Sequence, residues 1–498
     1  MNLTTRSIKF IKFNIIFQPL LMLFGLLASV FVIRNLGVEF YADYVLLQAL
    51  IGTIGIVLSL GFIQTITKLW IEYDDAISRD SILFITIIIQ LIIIFFITIG
   101  VIIYPKLLEI IFGEDFINLF EFWQISLIFI SIIISVLCSS VLIAELDNRY
   151  TLISSFINAI LAPSWLLFVS WNQIYSTQEI LSLIIIINFI ASLVLLNGSI
   201  KYIKNINLVY SIGLQNSLLK KYLKHFLSTS FVRFFVYFST LPFIAIVLNK
   251  FDLKEELVYI AIFLKIISSI TIIIGIPVGK VTGVLFSNAF KNKDQKLMNI
   301  IYQSVVKYYL FIFLFFFIGL YHSSEYIINF IYQMKIDNDF LTLLFITILS
   351  SILGVANWMI QINEHYKLTY YSSLSAMVLI NLSFWYLVPL YGLNGIYVGL
   401  LLNYIIYSGS SFVYIQLKYK YVSFPMVYML KVLVSLFGSV LLGYIASNEI
   451  MSSIISMLTF VILFYITLKL DDNDIYILKK LRIERVEKYL PRKFRLKE

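Results

Sequence analysis

The sequence predicts an all-α integral membrane protein of about 14 transmembrane helices, and three observations carry that fold class. Mean hydropathy is +0.94 and 60% of the 498 residues are hydrophobic, whereas soluble domains stop near half apolar. Apolar stretches of about 20 residues, the length that crosses about 30 Å of hydrocarbon as a helix, recur along the whole chain. In lipid every backbone amide must bond within its own segment, which makes helices the economical way to span.

Charged, Pro- or Asn-rich breaks separate the expected spans at 8–33, 41–66, 81–104, 120–143, 150–170, 179–200, 226–248, 256–277, 300–321, 340–361, 369–389, 393–416, 426–446 and 452–468. The first is too long for a signal-peptide core and lacks a small-residue cleavage site, so it is expected to remain as a helix. An even number of spans places both termini on one side. Of the 37 Lys/Arg, only Arg34, Lys106, Lys250, Lys254 and Lys335 fall in loops on the opposite side, and Arg233, Lys265 and Lys307 fall within spans. The positive-inside rule then puts both termini in the cytoplasm, with the chain multi-pass in the cytoplasmic membrane. The formal charge of +9 reflects topology and attraction to anionic membrane lipids; nucleic acid is not an expected partner.

The longest internal hydrophilic break carries Lys201, Lys204, Lys220, Lys221 and Lys224 and falls after six spans. It divides the chain into an N-terminal six-helix lobe (1–200), a cytoplasmic linker (201–225), a C-terminal six-helix lobe (226–416), two extra helices (417–468) and a basic cytoplasmic tail (469–498). Six spans return the chain to the same side, so the lobes would be parallel repeats about the membrane normal. In the tail Ile475, Leu478, Val486 and Tyr489 share a rough face. That leaves open a weakly amphipathic helix on the inner leaflet or a disordered basic tail.

Recognised catalytic patterns are missing. There is no G-x-x-x-x-G-K-[ST] or H-E-x-x-H sequence, and the one cysteine, Cys138, supports neither a disulfide nor a thiolate cluster. His225, His322 and His365 lie far apart near span ends and read as interfacial polar groups. A transporter without catalytic residues, metal or cofactor is expected. All 28 Asp/Glu fall in loops or near span ends, Asp43, Glu121, Glu145, Glu179, Glu256 and Asp339 coming closest to the interior. Cation-coupled exporters usually carry a carboxylate deep in the membrane.

Deep cations do occur. Lys265 is about 14 Å from the outer end of its span and Arg233 about 10 Å from the inner end of its own, at a rise of about 1.5 Å per residue. A charge at mid-bilayer costs roughly 2.5–3.5 kcal/mol on insertion scales and normally faces a cavity or a partner. With no deep carboxylate available, Lys265 is expected to line a cavity that receives an anion. Arg233 either joins it or snorkels to the inner headgroups, and Lys307, nearer the inner face, is expected to snorkel. Gln18, Asn158, Asn188, Asn381 and Asn403 also lie at depth. Such amides more often join helices than bind ligands; Asn381 and Asn403 are the ones placed as candidate cavity groups. Pro19 should kink the first span and free a carbonyl four residues earlier, making it a candidate gating kink; Pro277 reads similarly. The 33 Tyr and 43 Phe exceed what two interfacial belts need.

Several patches resemble a known family. Asn35-Leu36-Gly37-Val38-Glu39-Phe40-Tyr41-Ala42 and Leu60-Gly61-Phe62 resemble the "LGxxxYG … LGL" start of polysaccharide-export membrane proteins, with Ala42 where that family usually has Gly. These are the O-antigen and capsule flippases of the multidrug/oligosaccharidyl-lipid/polysaccharide exporter superfamily. Pro389-Leu390-Tyr391-Gly392-Leu393-Asn394-Gly395 resembles their "PxYGxxG" approach to the twelfth helix. Leu285-Phe286-Ser287 with Lys293-Asp294-Gln295-Lys296 resembles the cytoplasmic segment after the eighth. The resemblance covers essentially the whole chain. It implies a two-lobed bundle with a cationic cavity that moves a polyprenyl-pyrophosphate-linked oligosaccharide across the membrane, with glycan polymerase or assembly proteins as further partners. Lys265 and Arg233 are compatible with that family rather than dictated by it.

Two other readings compete. A cation-coupled multidrug antiporter of the same superfamily lacks its deep carboxylates here. A membrane-embedded glycan polymerase or ligase needs a sizeable outer loop with catalytic groups, and no such loop is present.

Overall fold

The computed structural model describes residues 3–59, 61, 62, 65, 66, 69, 73, 76–103, 106–144, 148–172, 176–204, 216–291, 293–334, 339–362, 365–446 and 448–467. Among them every regular element is a helix. Ten are long and apolar enough to cross a membrane, or eleven if one bent pair counts as a span. With the composition above, this makes the chain a multi-pass membrane protein. Packing divides it into two units: Met1–Ser269 with Ser373–Leu400, and Ile270–Ser372 with Leu401–Glu498.

In the first unit α1 runs Leu3–Ser59, but Gly37 leaves the helical region at φ 90°, ψ 171°. Side chains with a Cβ avoid that backbone conformation, so glycine is what lets the chain turn here between the first and second expected spans. Then follow α2 (Ala76–Ile103), two short helices α3 (Lys106–Phe112) and α4 (Glu114–Ile117), α5 (Phe122–Ala144), α6 (Asn148–Asn172) and α7 (Thr177–Lys204). Residues 205–215 of the expected linker lie outside the described residues, and the part from 216 on is helical. It begins α8 (Asn216–Tyr237), which continues into the membrane.

The seventh span departs from the uninterrupted helix expected at 226–248. After α8 the backbone breaks at 238–240 and restarts as α9 (Leu241–Lys250), bent by 43°. Pro242 in the first turn of α9 explains the restart, since proline's missing N–H has no partner there in any case. The Ser239 and Thr240 hydroxyls cap the broken end by donating to the Val236 and Tyr237 carbonyls at 2.8 and 2.6 Å.

Helices in lipid associate by close packing rather than by escape from water. Around α8, Phe62, Leu69, Ile82, Ile85, Leu218, Tyr222 and Phe226 form a buried cluster, and the Tyr222 hydroxyl lies 2.8 Å from Thr86 Oγ1. Gly61 donates its N–H to Ser230 Oγ at 3.1 Å. α10 (Lys254–Lys291) contributes its residues up to Ser269 to this unit, and α14 (Tyr366–Tyr391) from Ser373 on and α15 (Leu393–Tyr404) up to Leu400 form a hairpin turned at Gly392, where φ is +53°.

The second unit holds α11 (Gln295–Tyr321), α12 (Ser324–Tyr332), α13 (Asp339–Ile362), a π-helical turn over Ile405–Gly409, α16 (Ser410–Lys418), α17 (Met426–Gly443) and α18 (Glu449–Thr467). Asp294 caps α11 by accepting from Leu297 N at 2.9 Å. The π turn interrupts the expected span 393–416, and the Tyr407 carbonyl takes the Ser410 and Ser411 hydroxyls, each at 3.2 Å. α18 joins α11 through Phe311, Phe460 and Phe464, with Phe311 and Phe464 centroids 4.2 Å apart, and Tyr428 of α17 packs against Phe464. Lys307 does not reach outward as expected: it is buried, its ammonium 5.6 Å from the Tyr428 ring centre. The tail 469–498 lies outside the described residues.

Candidate ligand cavity

Four helices of the first unit converge on a cavity of about 270 Å3 that contains Lys265. From α1 come Gly25, Ala28 and Ser29, spaced i, i+3, i+4 so that they share one face. Beyond the Gly37 turn the same helix adds Tyr41, Tyr44 and Gln48. α6 supplies Asn158, Ala159, Ala162, Pro163 and Leu166, again one helical stripe, and α7 supplies Asn188. Lys265, Ser268 and Ser269 complete the wall from α10. The small side chains of α1 and α6 open the space, and all four helices furnish polar groups.

The Lys265 ammonium donates to the Gly25 carbonyl at 2.6 Å. A Cβ on Gly25 would lie 3.7 and 3.9 Å from the lysine's Cε and Nζ, in ordinary van der Waals contact. Ser268 and Ser269 hydroxyls donate back to the Lys265 carbonyl at 2.9 and 2.8 Å, and Asn188 Nδ2 donates to Ile184 O at 2.9 Å. The lining holds a cation, amides, phenols and hydroxyls, and among the described residues none that lines it is a carboxylate. Asp43, two positions beyond Tyr41, is instead 3.9 Å from Lys254. A positive group among neutral dipoles can hold an anionic or strongly hydrogen-bonding ligand, and the donor set is wrong for a metal.

The other sequence candidates lie elsewhere. Arg233 is half-buried on α8, on the turn between Ser230 and Tyr237, which bond to Gly61 and to Thr53 of α1; it does not line the Lys265 cavity. Asn381 donates Nδ2 to Met377 O at 2.8 Å. It lines a separate, apolar recess with Phe238, Met377, Val378, Leu382 and Trp385. Asn403 is buried in the second unit, two residues before the π turn. Position 19 is helical, and the side chains of Pro19, Gln18 and Pro277 lie outside those described. Asn158 and Asn188, expected as helix-joining amides, do line the cavity. Tyr41, Tyr44, Gln48 and Pro163 escaped sequence reading, although Tyr41 belongs to the motif that follows Gly37.

No protein family and no curated protein matches the chain by sequence. Solved structures do match by shape. "Lipid II flippase MurJ, inward closed conformation" aligns with a TM-score of 0.65 at 16% identity over 93% of this chain and 98% of that one. An inward-facing multidrug resistance MATE family transporter of the MOP superfamily aligns with a TM-score of 0.59 at 16% identity, over 80% and 94% of the two chains. MATE in the bent conformation gives 0.50 at 15% identity, over 82% and 93%. At such identities the likeness speaks for architecture: the chain has the fold shared by the MurJ flippase and the MATE transporters of the MOP superfamily.

Proposed function

We propose that the chain is a flippase that carries a polyprenyl-pyrophosphate-linked oligosaccharide across the cytoplasmic membrane by alternating access, with both termini in the cytoplasm. The observation that carries this reading is Lys265 in a polar cavity with no carboxylate among its described lining residues. In the free protein the ammonium rests on the Gly25 carbonyl, a neutral acceptor that leaves its charge uncompensated. A phosphate oxygen is the better acceptor, because charge-assisted hydrogen bonds are shorter and roughly twice as strong as neutral ones. The fold shared with a lipid II flippase supports the same assignment. Arg233, Asn381 and Asn403 would then meet the ligand elsewhere on its path, and the six-six-two grouping of spans belongs to the same proposal.

The competing reading is a cation-coupled antiporter, favoured by the likeness to MATE transporters. A cationic ligand would have to share the cavity with Lys265. Export of surface glycan by cells dependent on this chain separates the two. Lys265→Ala and Lys265→Glu should keep normal membrane levels and lose export, with Lys265→Arg partly active. Wild-type export by Lys265→Ala would remove the reading's main support.

A further inference from the structure

Pro163 lies inside α6 and lines the same cavity as Lys265. Proline has no N–H, so the carbonyl four residues earlier, that of Ala159, loses the partner a helix would otherwise supply. Ala159 lines the cavity too, and no side chain among the described residues donates to its oxygen. A carbonyl freed at membrane depth is costly unless a hydroxyl, a water or a neighbouring helix takes it up.

Several other polar groups of the wall are already engaged. The Gly25 carbonyl holds the Lys265 ammonium, the Ser268 and Ser269 hydroxyls bond the Lys265 carbonyl, the Ser29 hydroxyl bonds Leu26 O at 2.6 Å, and Asn188 Nδ2 bonds Ile184 O. Beside the buried and unpartnered Asn158 Oδ1, the wall residue Ala159 has a carbonyl whose helical N–H donor Pro163 has removed. An acceptor of this kind has no use for phosphate, which brings only oxygens at neutral pH. It suits a donor.

We infer that the Ala159 carbonyl, released by Pro163, is a subsite for a ligand hydroxyl read beside the anion that Lys265 holds. The cavity thereby selects a phosphate ester bearing hydroxyls, a sugar phosphate, over one that lacks them. This rests on the reading of Lys265 as the anion contact. Pro163 acts through the backbone it frees and is a specificity-determining residue.

The test is calorimetry on the purified full-length chain in lipid nanodiscs, with hexose 1-phosphate and methyl phosphate as probes. Both carry the same charged ester and differ in their hydroxyls. Wild type should bind the hexose ester roughly 3- to 10-fold more tightly, the ratio one net hydrogen bond supplies. Pro163→Ala restores an N–H for Ala159 and is the better helix former. It should bring the ratio of the two affinities to about one, as should Pro163→Gly, by the same restored N–H. Lys265→Ala should weaken both probes. A ratio near one in wild type, or a preference that survives in both Pro163 variants, overturns the subsite and leaves the Lys265 reading standing. If wild type binds neither probe, or Lys265→Ala binds both unchanged, the anion reading falls and the subsite with it.

Discussion

Replacing Gly395 by alanine adds one methyl group where another helix's backbone already stands. A Cβ at this position would lie 2.6 Å from Leu387 C and from Val388 N, and 2.9 Å from Leu387 O. Carbon atoms in contact prefer about 3.5–4.0 Å, so α14 and α15 would have to part by roughly 1 Å. The obstacle is backbone, which no rotamer change can move aside. Gly399, four residues on, is just as closely covered by the Phe384 ring, so separation at Gly395 loosens the next turn as well. Overpacking of this kind costs about 1–3 kcal/mol, offset in part by the roughly 1 kcal/mol that alanine gains over glycine within a helix. Gly354→Ala is the matched control: nothing lies within 4 Å of its Cβ position, so only the propensity gain applies. The propensity gain is common to both, so the two variants should differ by the overpacking cost alone, roughly 1–3 kcal/mol in stability, or about 5- to 150-fold in the ratio of folded to unfolded protein. The assay is thermal unfolding of the detergent-solubilised full chain followed by tryptophan fluorescence. Both variants are run at one heating rate, because large membrane bundles often unfold irreversibly. Equal midpoints for Gly395→Ala and Gly354→Ala would refute the close-packing account of the α14–α15 hairpin.

Two further outcomes follow from buried and loop contacts. Tyr222→Phe should cost about 0.5–1.5 kcal/mol, because Thr86 keeps its bond to Ile82 O at 2.8 Å, whereas Thr86→Val strands the fully buried Tyr222 hydroxyl and should cost about 1–3 kcal/mol; the reverse order in the unfolding assay above would sink this. At the junction of α13, α14 and α16, His365 Nε2 lies 2.7 Å from the Tyr419 hydroxyl and 3.3 Å from Lys418 Nζ. Burial, with the Lys418 charge beside it, holds its imidazole below the ordinary 6.5. The unfolded chain then binds the proton first, so stability should fall as pH drops below about 6.5 and level off once the folded imidazole is protonated. That slope should be shallower in His365→Gln, the remainder coming from His322, which burial also holds below 6.5; an unchanged slope would show that His365 does not contribute to it.

The parts legible in sequence are those where a single residue type is physically required. Gly37 at φ 90°, Gly392 at φ +53° with Gly395 under the α14 backbone, and Asp294 capping α11 are the motif positions that carried the family resemblance. Each has a local reason that no neighbour can supply. Helix existence was equally legible, since spanning lipid demands long apolar runs. The break at 238–240 was not, because Phe238, Leu241 and Phe243 keep the segment apolar across it and only Pro242 hints at a restart. Nor could the cavity's membership be read. These helices are apolar nearly all round, so no stripe reveals which face turns inward. Lys265 was singled out by its charge at depth, but nothing in the sequence marked Asn158 and Asn188 off from the other deep amides until packing brought them to the same wall. Lys265's partner was beyond reach for a plainer reason: it is a backbone carbonyl, and every residue has one.

The sign of the cavity decides between the two transport readings more sharply than the fold does, because the fold resembles both a flippase and multidrug transporters. At an effective dielectric near 20, a unit charge about 5 Å from the Lys265 ammonium gains or loses about 3 kcal/mol according to its sign. For a cationic drug that is a penalty of more than about 100-fold in affinity, and no carboxylate among the described lining residues offsets it. For a phosphate the same interaction is favourable. It also replaces a neutral carbonyl by a charged acceptor on the same ammonium, so binding would exchange the Gly25 bond for a stronger one. Because Gly25 is on α1 and Lys265 on α10, that exchange would release one helix from the other at the moment the anion is bound. A carrier needs such a coupling between occupancy and helix contacts, since a ligand shifts a conformational equilibrium only by the difference in its interactions with the two states.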